Sequence, residues 1–255
     1  MSDLSQESLS EMLSRDFRFF PTVDSSNDIA QAWIREGAKA GSVVLVDEQL
    51  KGRGRRGRIW HTPAGVALAV SAILKPSADF ATRSSMVGAL AVYELCQSLG
   101  ISDIGIKWPN DVQIKGKNVS GILPEAVWDG DKLLGVVLGM GVNVRVDFAE
   151  EIAPIAINLE DATGQSLNRT ELLRQILETV DFWSARIASD EIFFAWKSRL
   201  STLGQHVVIE GADSRIVGEA VDVDSNGTLL IKTADAKIQP VMAGDVSLRP
   251  QGQGE

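Results

Sequence analysis

The run Gly52-Arg53-Gly54-Arg55-Arg56-Gly57-Arg58 sets four arginines among three glycines. An arginine side chain is always charged and presents a rigid fork that matches a carboxylate or a phosphate bidentately. Glycine lets the backbone approach a ligand closely and take positive φ. Together these residue types read as a mobile clamp for an anion. With Lys51 there are five cations in eight residues, and their mutual repulsion gives such a loop little to gain unless an anion binds it. The spacing also satisfies G-x-G-x-x-G, but a dinucleotide turn needs a strand directly before it and a helix directly after. Here Asp47 to Lys51 intervene, and Ile59-Trp60-His61-Thr62-Pro63-Ala64-Gly65 cannot open a clean helix. RNA-binding arginine–glycine segments are long and repeated, whereas this one is short and lies between apolar runs.

A second run, Lys107-Trp108-Pro109-Asn110-Asp111, leaves one strand pattern and enters another. Pro109 fixes the bend. Asn110 and Asp111 either cap that turn or do chemistry, with Asp111 contacting magnesium or a ribose and Lys107 a phosphate. No Walker A sequence occurs, so any use of ATP must proceed by another device.

Several elements must hold these runs in place. Cap-type residues Asp24 to Asn27 lead into Ile29, Ala32 and Trp33 at helical spacing, and Gly37 bounds that helix. Val43 to Val46 and Val66 to Leu74 are unbroken apolar runs, expected as buried strands on either side of the arginine loop. A helix is predicted over 82–99. Strands follow at 104–107, 112–114 and 119–123, then a hairpin at Asp129-Gly130. Asn168 and Glu171 resemble a capping box and open a long helix over 172–187, with another over 191–200. After Gly204 short β-type runs take over, with Asn226-Gly227 as a hairpin turn. Residues 1–16 read as a mobile tail or a frayed helix.

The chain has 255 residues, with 25 Lys+Arg against 34 Asp+Glu and a net charge of −9. An acidic chain repels a polyphosphate, which disfavours a nucleic-acid partner but permits a local anion site. Cys96 is the single cysteine and is expected to be a small core residue. With His61 and His206 the only histidines, a zinc site is disfavoured. A polar, acidic start and the lack of a long apolar run point to a cytoplasmic protein without a membrane partner.

Taken in order, the motifs carry a resemblance. They are Ser25-Ser26-Asn27, Asp47-Glu48-Gln49 with the arginine loop, Lys107 to Asp111, Gly121-Ile122-Leu123 with Glu125, Gly139-Met140-Gly141-Val142-Asn143, and Gly244 to Arg249. In this order they are similar to the biotin protein ligase family, from about residue 20 to 250. The resemblance implies an α/β (α+β) fold, with a mixed-sheet catalytic domain of the biotin/lipoate ligase type over 17–203. A small SH3-like β-barrel is implied over 204–255, after a flexible tail over 1–16. The implied activity forms biotinyl-5′-AMP and pyrophosphate from biotin and ATP with Mg²⁺, then passes biotin to a lysine of a biotin carboxyl carrier protein or domain.

The resemblance also assigns residues. Arg53, Arg55 and Arg58 go to the biotin carboxylate and the phosphate, and Arg53, Arg55, Lys107, Asp111 and the position of Asn118 form the catalytic set. Ser25, Ser26 and Gln49 would bond the ureido group, with Gly52 and Gly121 at the biotin pocket. Trp60 would stack on or flank adenine, and Asn110 and Asn143 would contact the nucleotide. Asp111 would place magnesium and the lysine substrate. Gly244 to Arg249 would face the nucleotide side. A lipoate or octanoyl transferase on a related fold carries different loop motifs.

One departure stands out. The family places a lysine three residues before the glycine of Gly-Ile-Leu, and here that position is Asn118. Asn118 carries no charge, and Lys117 beside it would point to the opposite face of a strand unless a bulge intervened. The expectation is a weakened first step, or a non-catalytic biotin or biotinyl-AMP binder. Only some 20 residues precede the first motif, too few for the helix-turn-helix of the family's longer members, so no operator binding is expected.

Overall fold

In the computed structural model of the chain, which describes residues 3–210, 215–242 and 245–248, the apolar runs become strands covered on both faces. Strand β2 (Val43–Gln49) sends Val43 and Leu45 into one core and Val44 and Val46 into another. Strand β3 (Ala67–Leu74) is buried along its whole length. Helix α2 (Ser26–Arg35) covers the smaller core, and helices α3 (Ser84–Ser98) and α5 (Arg169–Ser184) cover the larger.

The other strands are β1 (Phe17–Val23), β4 (Ile104–Lys107), β5 (Asp111–Ile114), β6 (Lys117–Asp129) and β7 (Lys132–Asn143). They join β2 and β3 in a mixed sheet of order β1-β2-β3-β7-β6-β5-β4, in which only β1 and β2 run parallel. Asn168 caps α5 through its bond from the Glu171 amide, and the helix begins at Arg169, a turn earlier than its apolar pattern suggested. Asp129-Gly130 makes the β6–β7 hairpin, with Gly130 at φ +55°. Cys96 is buried in the core, and burial pushes its thiol up to about 12.

Residues 1–16, read as a mobile tail or a frayed helix, contain α1 (Gln6–Met12), which carries a capping box at Ser5; Leu4 before it and Leu9 within it are buried. Strand β1 went unread because it is an edge strand, only half-buried, and contains Pro21. Pro124 lies inside the single long strand β6. Opposite it on β7 stands Leu138, while β5 pairs with β6 only from Lys117 to Gly121. On that side the ladder has ended, so the missing proline N–H breaks no bond.

A second sheet is built from β8 (His206–Glu210), β9 (Arg215–Val223), β10 (Leu229–Lys232), β11 (Ile238–Val241) and β12 (Asp245–Leu248), in the order β11-β10-β9-β8-β12, all antiparallel. Its buried residues Val207, Ala220, Leu229 and Ile231 join the same core as α3 and α5. The Asn226-Gly227 turn joins β9 to β10 and seats Gly227 against Met86 and Trp196. Along the chain, α4 (Leu159–Thr163), α5 and α6 (Asp190–Lys197) come between β7 and β8. Of the run expected on the nucleotide side, Gly244 and Arg249 lie outside the described residues.

Candidate active site

A cavity of about 600 Å³ opens where α2, the end of β2, the middle of β6 and the end of β7 meet beneath the arginine segment. Its first end is lined by Ser25, Ser26, Asn27 and Gln49. The Ser26 N–H and Oγ–H both donate to Gln49 Oε1, at 2.8 and 3.0 Å. Ser71, the only polar residue of β3, places Oγ 2.8 Å from Ser26 Oγ and 2.6 Å from Asn27 Oδ1. Asn27 Nδ2 donates to Glu125 at 2.5 Å. Gly139 leaves room for Asn27, since a Cβ there would fall 2.4 Å from Asn27 Oδ1. At this end the uncharged side chains of Ser26, Asn27, Gln49 and Ser71 are linked by hydrogen bonds.

The other end is charged. Lys107, Asn110, Asp111 and Asn118 face the cavity together with Arg55 and Arg58 of the loop. Trp108 is buried between them; its N–H donates to Thr202 Oγ1 at 2.9 Å and its indole to Gly227 O at 2.7 Å. The Trp108–Pro109 bond is cis. Asn110 donates to Ile122 O at 2.8 Å and accepts from Arg55 at 3.3 Å. Burial raises the Asp111 carboxyl above the usual carboxylate range, against the pull of Lys107, Arg58 and Arg55 and the bond from Asn118.

Asn118 is held on every side. Its Nδ2 donates to Asp111 at 3.2 Å, its Oδ1 accepts from Gln113 at 2.8 Å, and its backbone bridges to Ala156. The β5–β6 register does slip here, pairing Val112 with Ser120 and Gln113 with Asn118. The bulge does not bring Lys117 round, because its ammonium donates to Ala153 O at 3.0 Å. Asn143 Nδ2 reaches Ile157 O at 3.2 Å and Asn118 O at 3.4 Å, tying β7 to the 149–157 segment.

Arg53 forms a bidentate pair with Asp28, at 2.7 and 2.8 Å, and lies 3.5 Å from Glu125. The hydrogen bonds from Arg53 lower the Asp28 carboxyl, and those same bonds raise the guanidinium. Trp60 lies across Gly121 and Gly141, which are paired on β6 and β7; a Cβ at Gly141 would come 2.3 Å from its Nε1.

All the site residues expected from sequence line this cavity except Gly52, which stands behind it with room only for hydrogen beside Trp60 O. Sequence reasoning assigned no role to Asn27, Gly139 or Gly141, although all lie in quoted motifs. It also missed Ser71, whose signal was one hydroxyl in an otherwise apolar strand. Phe148, Ile152 and Ile155 at the mouth carried no pattern to find them by. Among the described residues no three His, Cys, Asp or Glu side chains gather as metal ligands. Asp111 alone suits a Mg²⁺ shared with substrate phosphates, since that ion is commonly held by one or two carboxylates plus phosphate oxygens.

Residues 19–143 match the family model described as the biotin/lipoate A/B protein ligase family, and residues 202–249 match the biotin protein ligase C terminal domain. A biotin–[acetyl-CoA-carboxylase] ligase of Paracoccus denitrificans is 31% identical over 223 residues, covering 82% of this chain and 91% of that protein. The chain belongs to the biotin protein ligase family. Among its other relatives, a bifunctional ligase/repressor of Bacillus spizizenii is 27% identical over 248 residues, 93% of this chain and 75% of that one. The biotin protein ligase of Aquifex aeolicus, solved in complex with biotin and ATP, matches with a TM-score of 0.78 at 29% identity, over 92% of this chain and 98% of the other. The biotin ligase fold therefore accounts for the mixed sheet and the C-terminal domain together.

Proposed function

We propose that the chain is an ATP-dependent biotin protein ligase of the cytoplasm, with a catalytic domain over 17–203 and an SH3-like domain over 204–255. One observation carries this reading. A single cavity joins a neutral hydrogen-bonding end to a cationic end beneath a glycine–arginine flap. A biotin ureido group suits the wall of Ser25, Ser26 and Gln49, which offers donors and acceptors in fixed positions. The valeryl chain would then run along Gly121 toward Arg55, Arg58 and Lys107.

In the first step a biotin carboxylate oxygen bonds to the α-phosphorus of ATP, and the bond to pyrophosphate breaks. Two anions must meet, and the cations offset their repulsion and the charge that develops. Asn110 and Asn143 support the nucleotide, with Trp60 beside it, and Asp111 would share Mg²⁺ with the phosphates and supply charge neutralisation there. In the second step a carrier lysine amine bonds to the biotinyl carbonyl, and AMP leaves. The anhydride is prone to hydrolysis, so a flap that covers it and excludes water serves both steps.

Asn118 supports a reduced first step, because a neutral carboxamide held by Asp111 and Gln113 cannot supply a cation. The same feature favours the second reading, a biotin or biotinyl-AMP binder without turnover. Pyrophosphate release separates the two. The ligase reading expects slow release that requires biotin and ATP together and is not supported by lipoate. No release at any enzyme concentration would leave only the binder, and release with lipoate in place of biotin would refute the biotin assignment.

A further inference from the structure

Asp47 opens the Asp47-Glu48-Gln49 run, yet its carboxylate turns away from the cavity. Oδ1 accepts from the Gly65 N–H at 3.1 Å and from Arg169 Nη1 at 2.6 Å. The arginine segment leaves β2 after Gln49 and returns through Gly65, so Asp47 ties the far end of that segment to the strand on which it begins. The carbonyl of the same Gly65 is gripped from another side, by Arg145 Nη1 at 2.8 Å.

Both grips run to one residue near the N-terminus. Asp3 accepts from Arg169 Nε at 2.7 Å, from the Arg169 N–H at 2.8 Å and from Arg145 Nη2 at 3.3 Å, while its carbonyl accepts from Thr170 Oγ1. Arg169 is 0% exposed. A guanidinium so buried keeps its place only while its countercharges keep theirs. Leu4 and Leu9, both buried, anchor the segment that carries Asp3.

We propose that residues 3–12 form a strap that sets closure of the arginine flap. Asp3, Arg169, Arg145 and Asp47 act as positioning residues on the two polar groups of Gly65. The inference rests on the reading of 52–58 as an active-site flap. None of the four side chains needs to touch substrate. Neutralising Asp3 leaves Arg145 and Arg169 with one fewer anion between them, and Gly65 is the backbone point they share with Asp47.

Limited trypsin digestion of the full chain tests this, because the flap arginines are themselves the cleavage sites. Flap cleavage is normalised to Lys237, exposed in the β10–β11 turn. Asp3→Asn is expected to speed flap cleavage about fivefold and to raise KM for biotin and for ATP similarly with kcat nearly retained, a coupling of ordinary size. Asp3→Glu should restore part of the effect. Thr170→Val, which removes only the hydroxyl donor to Asp3, should give about a twofold rise, and it decides the matter should Asp3→Asn fail to fold. Unchanged flap cleavage in the folded variants would overturn the strap while leaving the proposed function intact. If biotin with ATP does not slow flap cleavage in the parent chain, the proposed function fails instead.

Discussion

At the Ser26 end of the cavity, neutral groups from α2, β2 and β3 hold one another, whereas at the Asp111 end a buried carboxylate feels the charges of Lys107, Arg58 and Arg55. The first end is held in shape by hydrogen bonds among Ser26, Asn27, Gln49 and Ser71. The second end gathers charged groups, and two of its cations ride on a flap. The two ends of one pocket are built differently: one is a mesh of neutral hydrogen bonds, and the other concentrates charge that, in the proposed function, phosphate would complete.

Breaking this contrast at the charged end should have the largest effect. Asn118→Lys places a cation between Asp111 and the cavity and should raise the rate of adenylation by about 10²–10³, the worth of one preorganised donor where charge develops. Single-turnover formation of biotinyl-AMP measures it, and equal rates in both forms would remove Asn118 from the account. At the neutral end, Ser71→Ala leaves Ser26 and Asn27 short of one partner, a loss of about 1 kcal/mol. Biotin affinity should fall about fivefold with ATP affinity unmoved, as titration calorimetry would read.

Trp108→Phe sharpens the comparison from the other side. It deletes the donor to Gly227 O, and about 1 kcal/mol of support for the Asn110–Asp111 turn goes with it. KM for ATP should rise several-fold while biotin affinity holds; the reverse pattern would place Trp108 with the neutral wall.

The smallest effect concerns pH. Burial works to raise the Asp3 carboxyl, but bonds from Arg169 and the charges of Arg169 and Arg145 outweigh it, so its pKa is lowered. The groups facing it are those two arginines, with Asp47 and Glu160 beyond them. A lowered carboxylate pKa contributes stability that is present above the unfolded value and lost as pH falls through the folded one. The melting-temperature gap between the parent and Asp3→Asn should therefore stay constant from neutral pH into the ordinary aspartate range and close only below it.

Much of this site was legible because the residues that do chemistry stand in short runs. Gly52 to Arg58 and Lys107 to Asp111 declare themselves by type and spacing alone. The buried strands β2 and β3 were legible because strands covered on both faces lose the alternation that half-exposed ones keep. Strand β1 was not, since an edge strand with a proline carries neither pattern. The fate of Lys117 was also hidden. Whether a bulge turns a neighbouring side chain inward depends on what waits outside, and here the Ala153 carbonyl holds it there. Asp3 was missed for a similar reason, because its partners lie 142 to 167 positions away along the chain.

Trp108 also bears on how the molecule comes apart. Its ring sits under Gly227, Arg83 reaches Ser225 O at 3.1 Å, and one hydrophobic core runs from α3 and α5 into β8, β9 and β10. Chains with two sheets often melt in two stages, each sheet losing its own interior. Here the interior is shared, so heating should produce a single endotherm, and the small sheet should not outlive the large one.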